Sequence, residues 1–326
     1  LRYEYNQAHK PVREQDEAVG HSVRAVYLYS GMADVARLTE DESLLKACEV
    51  LWNNMTRKKM YITGGIGATH IGEAFSFNYD LPNDTAYAET CASIGLIFFA
   101  QRMLMTETDS TYGDVIEQAL YNTVLGGMNY EGNRFFYVNP LESVPEVCYD
   151  NTQRHHVKPE RQKWFACACC PPNIARLIGG LWDYIYTAAE DTVNVHLYIA
   201  GDAKVQVGNS ILNITQTTSY PENGRIHFKV QADTDREITL ALRIPGWAEH
   251  YTLRLNGQEL TPDKVEKGYA YLTRPWAEAA ELEVEFDMQP RFMCANRKIH
   301  YDLGRTAIMR GPVVYCLEEV DNGKYL

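Results

Sequence analysis

The sequence lacks long apolar runs: no stretch approaches the ~18 to 20 residues that a membrane-spanning helix needs, and no basic leader precedes an apolar segment at the start. Basic charge is scarce too. Against 43 Asp and Glu stand only 31 Lys and Arg, a formal charge of −12, which leaves no cationic footprint for nucleic acid or an anionic membrane surface. A neutral or cationic ligand is easier to accommodate. Low-complexity tracts and internal repeats are absent, and no glycine-rich loop ends in the Gly-Lys-Ser/Thr that a phosphate cradle requires. The first residue is Leu1, not Met, and the β-like run Pro312 to Glu318 has no evident closing element after it, so we expect a piece of a longer protein.

Cysteine is present but not in a disulfide pattern. Eight occur, at 48, 91, 148, 167, 169, 170, 294 and 316, without the density of a small disulfide-stapled domain. Three crowd into Cys167-Ala-Cys169-Cys170. Neighbouring cysteines bridge each other only with strain, so metal binding or reactive chemistry is the better use. A reduced thiol cluster suits the cytoplasm.

With 326 residues, 45% of them apolar, the chain can bury more than one core. Its period changes part-way. Residues 1–189 read as helical: His21 to Leu38 and Asp41 to Lys58 carry apolar residues at helical spacing, and their short join predicts an antiparallel pair. Further helices are expected over Thr90 to Met105, Tyr112 to Leu125 and Asn173 to Ala188. Paired helices suggest an α/α toroid. Residues 190–290 show a period of two in short runs, with Asn256-Gly257 as a hairpin signal, and predict a β-sandwich. Residues 291–326 resemble the start of a second sandwich. The fold class expected is therefore a mixed α and β multidomain chain.

Most chemistry-bearing residues fall in the long connections between helices. In the glycine-rich loop from Tyr61 to Phe75, Glu73 lies between apolar Ile71 and Phe75, where partial burial would raise its pKa and suit it to acid/base work. The glycines there would let backbone approach a ligand. In Tyr87-Ala-Glu89-Thr-Cys91, the two functional side chains converge only if Glu89 precedes a helix and Cys91 lies in its first turn, because each residue turns a helix by about 100°. Ahead of Pro171-Pro172-Asn173, the thiols of Cys167, Cys169 and Cys170 would sit at a helix start, where the dipole favours thiolate and Asn173 could cap. Glu89, Cys91, Cys169 and Cys170 together make a donor set suited to tetrahedral Zn²⁺. His155 and His156 compete as ligands, and a purely structural zinc is the sober alternative.

At these motifs the sequence resembles glycoside hydrolase family 127, the β-L-arabinofuranosidases. The likeness rests on Gly-His21-Ser-Val-Arg-Ala-Val-Tyr27, Thr-Gly-Gly-Ile-Gly67 leading to Gly-Glu73-Ala-Phe, Tyr-Ala-Glu89-Thr-Cys91-Ala-Ser, and Cys167-Ala-Cys169-Cys170-Pro-Pro-Asn. It implies an (α/α)6-barrel catalytic domain, here lacking its opening helices, followed by β-sandwiches. It also implies Cys169 as nucleophile, Glu73 as acid/base, and Glu89, Cys91, Cys169 and Cys170 as zinc ligands. His21, Tyr137 and Cys167 are the implied substrate contacts, with an oligosaccharide or glycoconjugate as substrate and a homodimer compatible with it. Three readings remain open beside this one: another sugar specificity within the family, a conventional glycosidase using Glu73 and Glu89 as its carboxylate pair, and a carbohydrate-binding protein with structural zinc.

Overall fold

A computed structural model describes residues 3–323; Leu1, Arg2 and residues 324–326, which the expected domain limits include, lie outside the described residues. The helical half is built on α1 (Ser22–Thr39), α2 (Glu42–Lys58), α3 (Thr90–Thr106) and α4 (Ser110–Gln118). Asp41 caps α2 by accepting from the Leu44 N–H at 2.9 Å. Only Glu40 and Asp41 separate α1 from α2, so the two run antiparallel. Helix α3 is apolar on nearly every side and lies at the centre, packed against α1, α4 and, later in the chain, α6 (Cys170–Gly179); between them comes the single turn α5 (Pro145–Cys148). No helix among the described residues is long and apolar enough to cross a membrane.

Two expected helices end differently. The segment Ala119–Val124 continues α4 with wider π-helical turns, and its Thr123 hydroxyl donates to the Thr63 carbonyl at 2.7 Å. The fifth helix stops at Gly179, not near residue 188, because Gly179-Gly180 removes the side chains that would carry it on. After a short 3₁₀ turn (Leu181–Tyr184), Tyr186–Ala189 forms β1 and pairs antiparallel with β2 (Thr192–Val195), so this segment belongs with the sheet.

Strands follow as β3 (Gly201–Val207), β4 (Ser210–Thr218), β5 (Arg225–Ala232), β6 (Glu237–Arg243), β7 (Tyr251–Leu255), β8 (Gln258–Glu259), β9 (Lys264–Glu266), β10 (Tyr269–Pro275) and β11 (Ala280–Phe286). They make two open sheets, β1-β2-β6-β10-β9 and β3-β4-β5-β11-β7-β8. Alternate residues of each sheet, such as Leu240, Leu242 and Leu272 from one and Ile214, Phe228 and Leu282 from the other, enter one shared apolar core, which fits a sandwich. Asn256 and Gly257, both at positive φ (50° and 79°), turn β7 into β8 as the hairpin signal requires. A third sheet, β12 (Pro290–Met293), β13 (Ala307–Arg310) and β14 (Val313–Tyr315), precedes the single turn α7 (Glu319–Asn322).

A buried ion network joins the two halves. Arg243, at the end of β6 and fully buried, donates to Asp114 Oδ1 at 2.5 Å, to Glu117 Oε1 at 2.6 Å and to the His196 carbonyl at 2.5 Å. Tyr220 (2.5 Å) and the Trp247 indole (3.1 Å) complete the Glu117 carboxylate. Every group has a partner, which is the condition for tolerating charge in an interior.

Candidate active site

Three helices begin at one place. His21 is the N-cap of α1, Glu89 of α3 and Cys169 of α6, and all three side chains line a cavity of about 530 Å³. That lies within the roughly 300–1,000 Å³ typical of small-ligand sites. The partial positive charge of three helix starts is thereby directed at one volume, a setting that favours anions.

The glycine-rich loop forms one wall. A Cβ on Gly64 would stand 2.5 Å from the Ala119 Cα, and one on Gly67 would stand 2.7 Å from the Ser22 Oγ. Both have positive φ, so these glycines let the loop press against neighbouring helices. Glu73 itself has φ of 53°, a left-handed conformation that costs a non-glycine residue about 1–3 kcal/mol. Its carbonyl holds that shape by accepting from the Ser22 N–H (3.0 Å) and Ser22 hydroxyl (3.1 Å).

Both oxygens of the Glu73 carboxylate are occupied. His21 Nδ1 accepts from the Arg24 N–H (3.4 Å), which leaves the ring proton on Nε2 to be donated to Glu73 Oε2 at 2.9 Å. The Tyr87 hydroxyl donates to Oε1 at 2.7 Å. The His21 hydrogen bond is the main reason the carboxyl lies below its ordinary value; burial opposes it, and the Tyr87 bond adds to it. The expected rise is therefore overturned. Ile71 is exposed and only Phe75 is buried, so the apolar flank is incomplete and the two donors prevail.

Opposite lies the thiol cluster. Glu89 precedes α3 with extended backbone and Cys91 is in its first turn, so their side chains meet. Cys169 Sγ is 3.4 Å from Glu89 Oε1 and 3.8 Å from Cys170 Sγ, and Cys91 Sγ is 3.7 Å from Cys170 Sγ. All three thiols are free. These spacings match the edge of a tetrahedron around zinc, about 3.8 Å for metal–sulfur bonds of about 2.3 Å. Among the described residues Glu89 Oε2 is buried without a partner, and burial followed by the Cys169 charge pushes its carboxyl up to about 9. Hydrogen bonds from Cys170 and Cys91 hold the Cys169 thiol well below its ordinary value, while the same bonds, donated to Cys169, hold Cys91 and Cys170 above theirs. Four acids crowded this closely can all ionise only around a cation. The donor set therefore fits a divalent metal.

Tyr137 reaches the cluster because Glu89 and Val138 form a β-bridge, which sets the Tyr137 hydroxyl 3.2 Å from Cys169 Sγ. Cys167 is exposed on the cavity wall. His155 and His156 do not join the donor set: His156 Nε2 bonds the Thr85 carbonyl at 3.1 Å and its ring stacks on His70. Asn173 caps nothing, since α6 starts at Cys170; its Oδ1 accepts from Tyr27 and Arg176 inside the first turns. Tyr87, Tyr27 and Arg176 escaped sequence reasoning. For Tyr87 the signal was its position two residues before Glu89; Tyr27 and Arg176 offered none beyond helical spacing.

A family model described as β-L-arabinofuranosidase, GH127 catalytic domain, matches residues 2–182. The chain belongs to glycoside hydrolase family 127. The family's middle-domain model matches residues 192–288 and its C-terminal-domain model residues 290–326. A non-reducing end β-L-arabinofuranosidase of Bifidobacterium longum subsp. longum is 44% identical over 98% of this chain and 48% of its own length. The crystal structure of a GH127 β-L-arabinofuranosidase from Geobacillus stearothermophilus T6 is 49% identical, with a TM-score of 0.95 over 98% of this chain and 51% of its own. A second solved GH127 β-arabinofuranosidase is 45% identical, with a TM-score of 0.90 over 98% of this chain and 51% of its own. The chain thus spans about half the length of the relatives it matches.

Proposed function

We propose that the protein containing this chain is a retaining glycoside hydrolase, a β-L-arabinofuranosidase, acting on an oligosaccharide or glycoconjugate. Cys169 is the nucleophile and Glu73 the acid/base. Glu89, Cys91, Cys169 and Cys170 hold Zn²⁺, and His21, Tyr137 and Cys167 border the sugar. The helical half contributes to an (α/α)6 barrel. The observation that supports this most is the placing of a free, half-buried Cys169 thiol and a doubly hydrogen-bonded Glu73 carboxylate on one sugar-sized cavity.

In the first step the Cys169 sulfur attacks the anomeric carbon. A carbon–sulfur bond forms as the glycosidic carbon–oxygen bond breaks, and Glu73 gives its proton to the departing oxygen. A bound sugar strips water from the half-exposed Glu73 side chain and so favours the protonated form needed at that moment. In the second step Glu73 takes a proton from water, the water oxygen bonds to the anomeric carbon, and the carbon–sulfur bond breaks with its electrons returning to Cys169. His21 and Tyr87 favour the ionised carboxylate that this step requires. The Tyr137 hydroxyl donates to the thiolate and holds it toward the cavity. Bound Zn²⁺ would supply the charge that keeps the clustered thiols deprotonated.

Trapping tests the assignment. A mechanism-based arabinofuranosyl inhibitor should add one sugar mass to the peptide bearing Cys169. Labelling of Glu89 or Glu73, or a Cys169→Ser variant with substantial turnover, would favour a two-carboxylate mechanism.

A further inference from the structure

Lys59, the residue that ends α2, is a buried cation outside the cavity, with a side chain only 3% exposed. Its ammonium has three N–H groups and each finds an acceptor: Glu17 Oε1 at 2.7 Å, the Ala18 carbonyl at 2.8 Å and the Ser76 carbonyl at 2.8 Å. The two carbonyls belong to the segments that carry the acid/base pair. Ala18 lies three residues before His21, and Ser76 three residues after Glu73. Between those points the segments run antiparallel. His21 and Ala74 form a β-bridge, the Phe75 N–H donates to the Gly20 carbonyl at 2.9 Å, and the Ser22 N–H donates to the Glu73 carbonyl at 3.0 Å. Lys59 closes one end of this ribbon, and the other end carries the 2.9 Å contact between His21 Nε2 and Glu73 Oε2. Asn54, also buried on α2, grips the same two segments: its Oδ1 accepts from the Ala18 N–H and its Nδ2 donates to Asn78 Oδ1, both at 3.0 Å.

We infer that Lys59 is a positioning residue for the acid/base chemistry: by joining the Ala18 and Ser76 carbonyls it holds the ribbon in the register that sets Glu73 against His21. The inference rests on the proposal that Glu73 is the acid/base. Glu73 has φ of 53°, and a left-handed backbone at a non-glycine residue persists only where the surroundings over-determine it. Ser22 restrains the Glu73 carbonyl itself, and Lys59 restrains the chain three residues further on. Burying an ammonium costs hydration that only a full set of acceptors offsets. An apolar side chain would fill the same space without that cost, but it could not join two carbonyls.

The dependence of kcat/KM on the leaving group, measured on the intact protein, tests this. Lys59→Met keeps an unbranched side chain and removes all three donors. A displaced acid harms only bonds whose departing oxygen needs a proton, and a misplacement of about 1 Å costs up to about 10²-fold. On unactivated arabinofuranosides kcat/KM should therefore fall by about 10- to 100-fold, while aryl glycosides with acidic phenols should lose far less. Glu17→Ala, at a partly exposed position, removes one of the three acceptors. It should show the same split on a smaller scale, and it carries the test if Lys59→Met does not fold. Equal losses on both substrate types, or no loss on either, would overturn the inference. Glu73→Gln, run alongside, separates the inference from the reading beneath it. A split in Glu73→Gln without one in the Lys59 and Glu17 variants removes only the role of Lys59; no split in Glu73→Gln removes the acid/base assignment and the inference together.

Discussion

The Tyr87 hydroxyl donates to Oε1 of Glu73 at 2.7 Å, across 14 residues of chain. Glu73→Gln keeps the shape and removes the exchangeable proton, so turnover should fall by about 10²- to 10⁴-fold on substrates whose leaving oxygen needs protonation. Aryl glycosides with acidic phenols should lose far less. Tyr87→Phe should lower kcat more than it raises KM, since the phenol touches the acid and not the sugar. Equal losses for Glu73→Gln on both substrate types would remove the acid role.

The thiols differ in access, and that gives a metal-removal experiment. Cys167, Cys294 and Cys316 are exposed, Cys48, Cys91, Cys148 and Cys170 are buried, and Cys169 lies between. Chelation should expose Cys169 to alkylation first, because it is the accessible member of the cluster and its thiolate is favoured by bonds from Cys170 and Cys91. Peptide mapping after brief iodoacetamide treatment should show Cys169 labelled only in the chelated protein. Unchanged labelling there would argue against a metal on that sulfur.

Arg243 links the helical half to the sandwich, and its loss should be felt by both. Arg243→Met leaves Glu117 and Asp114 without their cation, and breaking a buried pair in this way costs about 3–5 kcal/mol. Arg243→Lys should rescue little, because one ammonium cannot serve two carboxylates and the His196 carbonyl with the geometry of the fork. Denaturant midpoints decide it; a shift worth less than about 1 kcal/mol would show that water replaces the guanidinium.

His196 makes stability fall in acid. It is fully buried between Thr187 (2.8 Å) and the Tyr269 hydroxyl (2.7 Å), and burial holds its imidazole down to about 3 from an ordinary 6.5. The unfolded chain therefore binds a proton below about pH 6.5 that the folded one refuses, so the stabilisation is complete above that pH and is lost as pH falls toward 3. Between pH 7 and 4.5 the loss from this residue is about 2.5 kcal/mol. His196→Gln should flatten the slope of stability against pH over that window. An unchanged slope would show that the ring is protonated in the folded state.

Much of the fold could be read because local signals and burial agreed. Helices α1 and α2 each start at a residue whose side chain caps them, α3 is apolar almost throughout, and Asn256-Gly257 supplies the two positive φ angles its hairpin needs. Where the signals disagreed, the sequence misled. The segment after Gly180 is apolar enough to pass for helix, yet Tyr186–Ala189 pairs with β2 because that edge of the sheet is open. Strand β10 was not anticipated, although Tyr269, Ala270 and Leu272 are fully buried; an arginine and a proline at its end masked the alternation. At the site, the donor types and the meeting of Glu89 with Cys91 could be argued from spacing. The pKa of Glu73 could not, because it depends on His21, 52 residues away. The same holds for Asn173, whose partner Tyr27 is 146 residues distant.

The starting residues of α1, α3 and α6 that meet at the cavity belong to helices formed separately along the chain. Until the last of them docks, Cys91 and the Cys169-Cys170 pair are strangers, their thiols open to peroxide or to a wrong partner. Oxidative damage should therefore strike hardest during synthesis and refolding, and a reductant present only in those minutes should protect the yield as well as one present throughout.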